Sequence, residues 1–208
     1  MQFGLTAIQA RLGQPDRIGE AKEYMELVSR EIERCIDVTG RLMRLSEGPT
    51  ERGVLVDVGE VARGIASLLR YEAETRRIAL TVDIAAGTRI IASESEIGMV
   101  LVNLVQNAFH ATAAGGRVTV SGGSGPAGEV AITVADTGRG IPPEDLARIF
   151  LPFWTRRADR SEGSGLGLSI CKALVGKWHG TIAVSSRYGE GATFRLVFPS
   201  PDTVLDAA

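Results

Sequence analysis

The sequence predicts an α+β fold, an α/β sandwich in which helices cover one face of a mixed sheet, preceded by a helical hairpin. Three observations support this prediction. Apolar or small residues recur at every third or fourth position from Ile18 to Leu42, which is typical of a helix with one apolar stripe. Helix-breaking residues at 47–53 then end the pattern. Beyond them, amphipathic helices are interspersed with strands that are linked mostly as hairpins.

The predicted N-terminal hairpin, residues 1–47, carries an apolar seam with the heptad spacing of a coiled coil. A shorter helix precedes the seam, and residues 13–16 have the composition of the turn between the two helices. A single hairpin cannot bury such a seam, so we expect residues 16–46 to form a homodimer as a four-helix bundle. Docking of the seam against the rest of the same chain is the alternative. The seam residues are Ile18, Ala21, Met25, Val28, Ile32, Cys35, Thr39 and Leu42.

The predicted sandwich spans residues 54–198. Its strands are expected at 54–58, 78–84, 89–92, 117–121, 129–135, 181–186 and 192–198. Its helices are expected at 59–77, 93–114 and 164–178. Ser93 and Glu96 have the spacing of a capping box at the start of the second helix. Residues 199–208 are predicted to be a flexible tail.

Composition argues against several classes of function. A formal net charge of −2 argues against a nucleic-acid platform, which is normally basic. No apolar run approaches the roughly 20 residues that span a bilayer, and no signal peptide is visible. We therefore expect a cytoplasmic chain that makes no membrane contact of its own. The two cysteines, Cys35 and Cys171, lack metal-ligand spacing, which favours buried thiols over a disulfide.

Two asparagines, Asn103 and Asn107, lie four residues apart in a predicted helix and so share a face. Apolar residues surround them, and a buried amide is costly unless it is satisfied. Amide oxygens suit Mg²⁺, so this face is expected to contact a metal ion and phosphates. Asparagines that bond only to the backbone are the alternative. His110, on the same helical face as Asn107, is a further candidate contact for phosphate.

Asp136 ends an apolar predicted strand and is followed directly by Thr-Gly-Arg-Gly. A carboxylate there can accept the exocyclic amine of adenine, which guanine does not offer at the same position. Gly138 and Gly140 would let the backbone pass close to a base, and Ile141 suits the wall of a pocket. An ordinary turn aspartate before glycine is the alternative.

A glycine-rich segment at 163–168 opens a predicted helix. Backbone N–H groups at a helix N-terminus, together with the helix dipole, attract phosphate. The preceding stretch, 153–162, is rich in charge, which predicts a mobile lid with Arg156 or Arg157 contacting a polyphosphate. A solvated charged loop is the alternative. The predicted phosphate-binding residues of the glycine segment are Gly163, Gly165, Leu166, Gly167 and Leu168.

In this order the motifs resemble the boxes of sensor histidine kinases, whose superfamily also contains type II topoisomerases, mismatch-repair ATPases and heat-shock chaperones. The resemblance covers residues 54–198 and implies an ATP-binding catalytic domain. It further implies that Asp136 binds adenine, that Asn107 coordinates Mg²⁺ and that Thr193 supports the adenine site. The matching segments are 103–107 (N box), 136–140 (first G box), 150–153 (F box), 163–168 (second G box) and 189–194 (closing hairpin).

The same resemblance extends to the N-terminal hairpin, which is similar to a dimerisation and histidine-phosphotransfer region. Residues 1–8 resemble the segment that follows a phosphoacceptor histidine, which would place that histidine just before Met1. We therefore expect no phosphoacceptor in this chain and no autophosphorylation. The implied reaction is transfer of the γ-phosphoryl group of Mg·ATP to a histidine and then to an aspartate of a response-regulator receiver domain. The resemblance also allows a membrane anchor elsewhere in the full-length protein.

Asn103 distinguishes branches of this superfamily on chemical grounds. Members that hydrolyse ATP, and the anti-sigma serine kinases, have Glu four residues before the metal-binding Asn, where it acts as general base. An amide at that position cannot take a proton from water or serine, whereas neutral imidazole is already nucleophilic. A histidine kinase is therefore favoured. A catalytically silent ATP-binding scaffold and, less favoured, an anti-sigma-type serine kinase are the alternatives.

Overall fold

A computed structural model describes residues 53–125, 128–154 and 165–205, all within a compact unit that begins at Glu51. The predicted hairpin at 1–47, with its expected dimer interface at 16–46, lies outside the described residues. The strands are β1 (Val54–Asp57), β2 (Ala79–Ile84), β3 (Arg89–Ala92), β4 (Arg117–Ser124), β5 (Val130–Asp136), β6 (Thr181–Arg187) and β7 (Gly191–Phe198). The helices are α1 (Val58–Leu68), α2 (Arg70–Arg76), α3 (Glu94–Ala111), α4 (Pro143–Leu146), α5 (Gly167–Lys177) and α6 (Pro201–Leu205).

Five strands form the main sheet in the order β2-β4-β5-β7-β6. The pair β2–β4 is parallel and the other three pairs are antiparallel, so the sheet is mixed, as predicted. Strands β1 and β3 form a separate antiparallel pair. Helices α1, α3 and α5 pack together, and α3 also lies on β5 at the middle of the sheet. The predicted α+β fold with helices over the sheet is confirmed.

The alternating burial of the central strands shows which face of the sheet the helices cover. In β5, Val130, Ile132 and Val134 are fully buried, and the residues between them are half-exposed. Strand β7 alternates in the same way from Ala192 onward, with Ala192, Phe194, Leu196 and Phe198 buried. Antiparallel sheets commonly have one apolar face that packs on the core and one face that is exposed to solvent. Asp136 continues the buried series of β5, so its carboxylate lies on the helix-covered face.

The helix predicted over 59–77 is divided in two. Leu69 separates α1 from α2 with φ −90° and ψ 2°, and both Leu69 and Ala73 are buried as a result. Helix α2 ends at Arg77 in the left-handed conformation, with φ 56°. At the other end of the chain, Pro201–Leu205 form a short helix where a frayed tail was expected.

The capping box predicted at the start of α3 was wrong. Ser93 occupies the N-cap, but its hydroxyl pairs with that of Ser95 at 2.9 Å. Glu96 instead reaches α5, where its two oxygens accept hydrogen bonds from Lys177 Nζ at 2.7 Å and Trp178 Nε1 at 2.5 Å. The two side-chain donors satisfy the buried Glu96 carboxylate, which would be costly to leave unpaired.

Helices α3 and α5 run antiparallel. Glu96, near the start of α3, meets Trp178 after the end of α5, and Cys171 Sγ lies 3.8 Å from the carbonyl oxygen of Val100. The N-terminus of α5 therefore points toward the end of α3 that carries Asn103 and Asn107. Among the described helices, none is both long and apolar enough to cross a membrane.

Candidate nucleotide-binding site

Asp136 lies at the carboxyl end of β5, and the residue is 9% exposed. Its Oδ1 atom accepts two backbone hydrogen bonds, from Gly138 N at 2.8 Å and from Ala192 N at 3.3 Å. Its Oδ2 atom accepts no hydrogen bond from any residue that the structure describes. The carboxylate is thus held at one oxygen, and the other remains available to a donor such as the exocyclic amine of adenine.

Burial raises the pKa of Asp136 above its ordinary value of 3.8, because the charged form loses hydration. The hydrogen bonds from the backbone N–H groups of Gly138 and Ala192 oppose this shift, since they favour the carboxylate. Burial is the larger of the two effects. An amine donor on the available oxygen would compensate the charged carboxylate for part of this lost hydration.

The loop after Asp136 can be formed only with glycine at two positions. A Cβ on Gly138 would lie 2.5 Å from the carbonyl oxygen of Ala111, the last residue of α3. Gly140 has φ 68°, and a Cβ there would collide with the carbonyl oxygen of Arg187. The backbone N–H of Arg139 donates to the same Ala111 oxygen at 3.0 Å. The loop is therefore tied to the C-terminus of α3, one turn after Asn107.

A serine hydroxyl joins this loop to the β6–β7 hairpin. Ser186 Oγ accepts a hydrogen bond from Ile141 N at 2.8 Å and donates one to the carbonyl oxygen of Gly191 at 2.6 Å. A further backbone bond runs from Gly189 N to the Arg139 oxygen at 2.7 Å. The loop and hairpin consequently form one hydrogen-bonded unit around Asp136.

The role expected for Thr193 does not agree with the geometry. Thr193 pairs with Ala135 in the β5–β7 register, so its side chain lies on the sheet face opposite to Asp136. The hairpin residue beside the carboxylate is Ala192, which acts through its backbone N–H. The register therefore does not support the expectation that Thr193 supports the adenine site, because a one-residue shift reverses the face of every side chain in a strand.

The two asparagines of α3 differ in how they are satisfied. Asn103 is buried, and its Nδ2 donates to the carbonyl oxygen of Met99 at 3.0 Å, which is the backbone-bonded alternative raised from the sequence. Asn107 is half-exposed and makes no side-chain hydrogen bond within the described residues. His110 is also half-exposed, and its Nδ1 lies 2.6 Å from the carbonyl oxygen of Gln106. Asn107 is therefore the better candidate to bind a ligand.

The start of α5 presents backbone donors. The N-cap is Leu166, whose side chain is buried and provides no cap, and its carbonyl oxygen accepts from Ile170 N at 3.0 Å. The N–H groups of Gly167, Leu168 and Ser169 precede the first helical hydrogen bond and are donors for an anion. Gly163, Arg156 and Arg157, which the sequence also assigned to phosphate, lie outside the described residues.

Gly165, just before this helix, has φ 68° and packs against the backbone of Phe153. A Cβ at Gly165 would lie 2.6 Å from the carbonyl carbon of Phe153 and 2.9 Å from Trp154 N. Phe153 itself has φ 62°, an unusual conformation for a residue with a side chain. The residues on either side of segment 155–164 are thus in direct contact, which fixes the N-terminal end of α5 beside the F box.

The side chains present fit Mg²⁺ held together with a nucleotide. Within the described parts of the chain, no group of three or more His, Cys, Asp or Glu side chains converges on a metal position. Mg²⁺ bound to a nucleotide typically takes one or two protein ligands and completes its shell with phosphate oxygens and water. One half-exposed amide, Asn107, near the N-terminal end of α5 meets that requirement.

Two functional positions were missed by sequence reasoning. Ala192 acts through its backbone, so its residue type carries no signal, and the turn of the β6–β7 hairpin fixes its register only against Ser186. The sequence shows a serine pair at this point but does not distinguish Ser186 from Ser185, because the two residues are chemically identical. Strand alternation would have assigned one serine to each face, but not which of them bridges the loop.

The chain is similar to histidine kinases in sequence and in structure. Among curated proteins, the sensor histidine kinase ZraS of Klebsiella oxytoca is 35% identical over 182 residues, covering 87% of this chain and 39% of the relative. The catalytic domain of histidine kinase ThkA aligns with a TM-score of 0.65 at 28% identity, over 73% of this chain and 99% of that domain. Full-length ShkA in complex with AMPPNP aligns with a TM-score of 0.75 at 26% identity, over 89% of this chain and 39% of ShkA.

The chain spans about two fifths of the length of ZraS and of similar curated relatives that it matches. The family model described as "Histidine kinase-, DNA gyrase B-, and HSP90-like ATPase" matches residues 92–202, which is more than half of the chain. That range contains Asn107, the Asp136 loop, α5 and the β6–β7 hairpin. The chain therefore belongs to the histidine kinase-, DNA gyrase B- and HSP90-like ATPase family and carries the ATP-binding domain of that family.

Proposed function

We propose that this chain is the catalytic core of a two-component sensor histidine kinase. It binds Mg·ATP and transfers the γ-phosphoryl group to a histidine, from which the group passes to an aspartate of a response regulator. The observation that carries the proposal is the Asp136 carboxylate, which is buried, anchored at Oδ1 and available at Oδ2. The kinase names of ZraS, ThkA and ShkA support the same conclusion.

Each part of the site has a proposed role toward the nucleotide. Asp136 Oδ2 accepts the adenine amine, Gly138 and Gly140 bring the backbone close to the base, and Ile141 forms a wall. Asn107 holds Mg²⁺, which neutralises phosphate charge during transfer. Phosphate contacts are proposed for His110, Gly163, Gly165, Leu166, Gly167 and Leu168, together with Arg156 and Arg157.

Phosphoryl transfer of this kind depends on positioning the reacting groups and neutralising phosphate charge, because the protein takes little part in the covalent chemistry. The N–H groups at the start of α5 orient the polyphosphate, and Asn107 lies toward that same end of the helix pair. Asn103 cannot act as a general base, and its Nδ2 is already bonded to Met99. Histidine, which needs no strong base at neutral pH, is therefore the acceptor that suits this site better than water or serine.

The proposed partners are a second copy of the chain, through residues 16–46, and the receiver domain of a response regulator. The apolar seam from Ile18 to Leu42 supports the first. The second is suggested by a structure of ThkA in complex with the response regulator protein TrrA. That structure is 24% identical to this chain with a TM-score of 0.73, so the likeness itself concerns the fold alone. A net charge of −2 disfavours nucleic acid as a partner.

The proposal is tested with γ-labelled ATP, a separate hairpin fragment carrying a phosphoacceptor histidine, and a receiver domain. We expect no label on this chain alone, acid-labile and alkali-stable label on the fragment, and loss of that label when the receiver is added. Asp136→Asn is the matched control, in which label on the fragment should fall because ATP binding is weakened. ATP binding without any transfer would instead support a silent scaffold. Acid-stable label on serine would support the serine-kinase alternative.

A further inference from the structure

Ser186 occupies a position in the site that its hydroxyl alone explains. It lies on β6 directly opposite Ala192 of β7, so the two side chains share a face of the sheet. Ala192 comes just before Thr193 on β7, and Ala135, the partner of Thr193, comes just before Asp136 on the antiparallel β5, so Ala192 lies opposite Asp136. Ser186, Ala192 and Asp136 therefore form one row across three strands, on the face covered by helices.

The hydroxyl of Ser186 is used twice. It accepts from Ile141 N at 2.8 Å and donates to the Gly191 oxygen at 2.6 Å. The two backbone groups that it joins belong to the two different segments whose N–H groups bind the Asp136 carboxylate. Ile141 ends the loop whose Gly138 N–H binds Oδ1, and Gly191 precedes Ala192, whose N–H binds the same oxygen. A side chain must both donate and accept to hold this pair, which among small residues requires a hydroxyl.

We infer that Ser186 is a positioning residue for base recognition, because it fixes the spacing of the two N–H groups that orient Asp136. This inference rests on the proposed function, in which Asp136 reads adenine. When both donors meet at Oδ1, Oδ2 is directed to the ligand. Without the Ser186 bridge, the loop and the hairpin can separate, and the carboxylate loses its fixed orientation. Ser186 does not touch the nucleotide in this scheme.

The test compares ATP with inosine triphosphate, whose base carries a carbonyl oxygen where adenine has its amine. Affinities of the full chain for both nucleotides are measured by calorimetry with Mg²⁺. For Ser186→Ala we expect ATP affinity to fall about tenfold, the order of effect when a bridging hydrogen-bond pair is lost. Inosine triphosphate affinity should change much less, so the preference for ATP falls. Ser186→Thr keeps the hydroxyl and should retain the wild-type preference.

Ser185→Ala is the matched control, because Ser185 is the neighbouring serine on the same strand and lies on the opposite, exposed face. It should leave both affinities unchanged. If Ser186→Ala is too unstable to study, Ser186→Cys keeps the shape with a weak hydrogen-bonding group and should also lose preference.

The outcomes separate this inference from the proposed function. Equal losses for both nucleotides in Ser186→Ala, with the wild-type preference intact, would mean a purely structural role and would overturn the inference alone. Unchanged affinities in Ser186→Ala or Ser186→Cys would do the same. A wild-type chain that binds both nucleotides equally would overturn the assignment of Asp136 to adenine, and the inference with it.

Discussion

The backbone N–H of Ala192 donates to Oδ1 of Asp136 across 3.3 Å, joining the start of β7 to the end of β5 beside it in the sheet. Gly191, just before it, has φ 112° and packs against the Asp136 backbone so closely that a Cβ would collide with the Asp136 carbonyl oxygen. The site is therefore built by main-chain groups around a single carboxylate. Substitutions that keep the main chain but change the carboxylate should separate binding from folding.

Asp136→Asn should weaken ATP binding by about 1–3 kcal/mol, because an amide N–H₂ in place of Oδ2 would face the adenine amine, donor against donor. The amide oxygen can still accept from Gly138 and Ala192, so the fold should persist. Calorimetric titration with ATP and GTP measures the loss. Equal affinity of the wild-type chain for ATP and GTP would refute the adenine assignment.

The same variant should change the pH dependence of stability. Because burial raises the pKa of Asp136, the folded chain binds more protons than the unfolded chain as pH rises from 3.8 through the folded-state value. The contribution of the Asp136 carboxyl to the free energy of unfolding therefore decreases between pH 3.8 and the folded-state pKa, and it stays at this lower value at neutral pH. Asp136→Asn should be at least as stable as wild type at pH 7, with a smaller advantage near pH 4. Urea unfolding of the nucleotide-free chains at both pH values measures this, and greater wild-type stability at pH 7 would contradict it.

Asn107→Ala should abolish the Mg²⁺-dependent part of ATP binding with little loss of stability, since its amide has no hydrogen-bond partner among the described residues. Asn103→Ala is the contrasting variant. It should lower the free energy of unfolding by about 1 kcal/mol, through the lost bond to Met99, yet keep the Mg²⁺ dependence. Titrations with Mg²⁺ and with EDTA distinguish the two. Normal Mg·ATP binding by Asn107→Ala would show that another group holds the metal.

Lys177→Met should destabilise the domain by about 1–3 kcal/mol, because it leaves the buried Glu96 carboxylate with Trp178 Nε1 as its remaining side-chain donor. The exposed pair Arg187–Glu190 provides the control, and Arg187→Met should cost about 0.5 kcal/mol or less. Both variants can be compared by denaturant unfolding. Similar losses in the two variants would mean that burial of Glu96 adds nothing.

Met25→Glu combined with Ile32→Glu should convert a dimeric chain to monomers, because each change places a charge in the apolar seam. Glu26→Gln with Glu33→Gln changes adjacent positions outside the seam and should leave the dimer intact. Sedimentation at high micromolar concentration measures both. A monomeric wild-type chain would argue against the four-helix bundle.

The elements with strong periodicity could be read from the sequence. The alternation of β5 and β7 and the apolar helix of Asn103 and Asn107 predicted the strands and α3 to within a few residues. Side-chain partners across elements could not be read. Glu96 had the spacing of a cap but binds Lys177 and Trp178, because burial against α5 outweighs a local bond. Thr193 was expected at the site from the family resemblance, whereas the contact to Asp136 is made by the backbone N–H of Ala192.

The two tryptophans of the chain lie beyond opposite ends of α5. Trp154 is beside Gly165 at the end proposed to bind phosphate, and Trp178 donates to Glu96 while its ring packs against Gly53. The molecule consequently carries its two tryptophan fluorophores in separate environments. Replacing one tryptophan at a time with Phe would give proteins with a single tryptophan. Its fluorescence emission would report, without an attached dye, either on nucleotide binding near Trp154 or on the packing of Trp178 against Gly53.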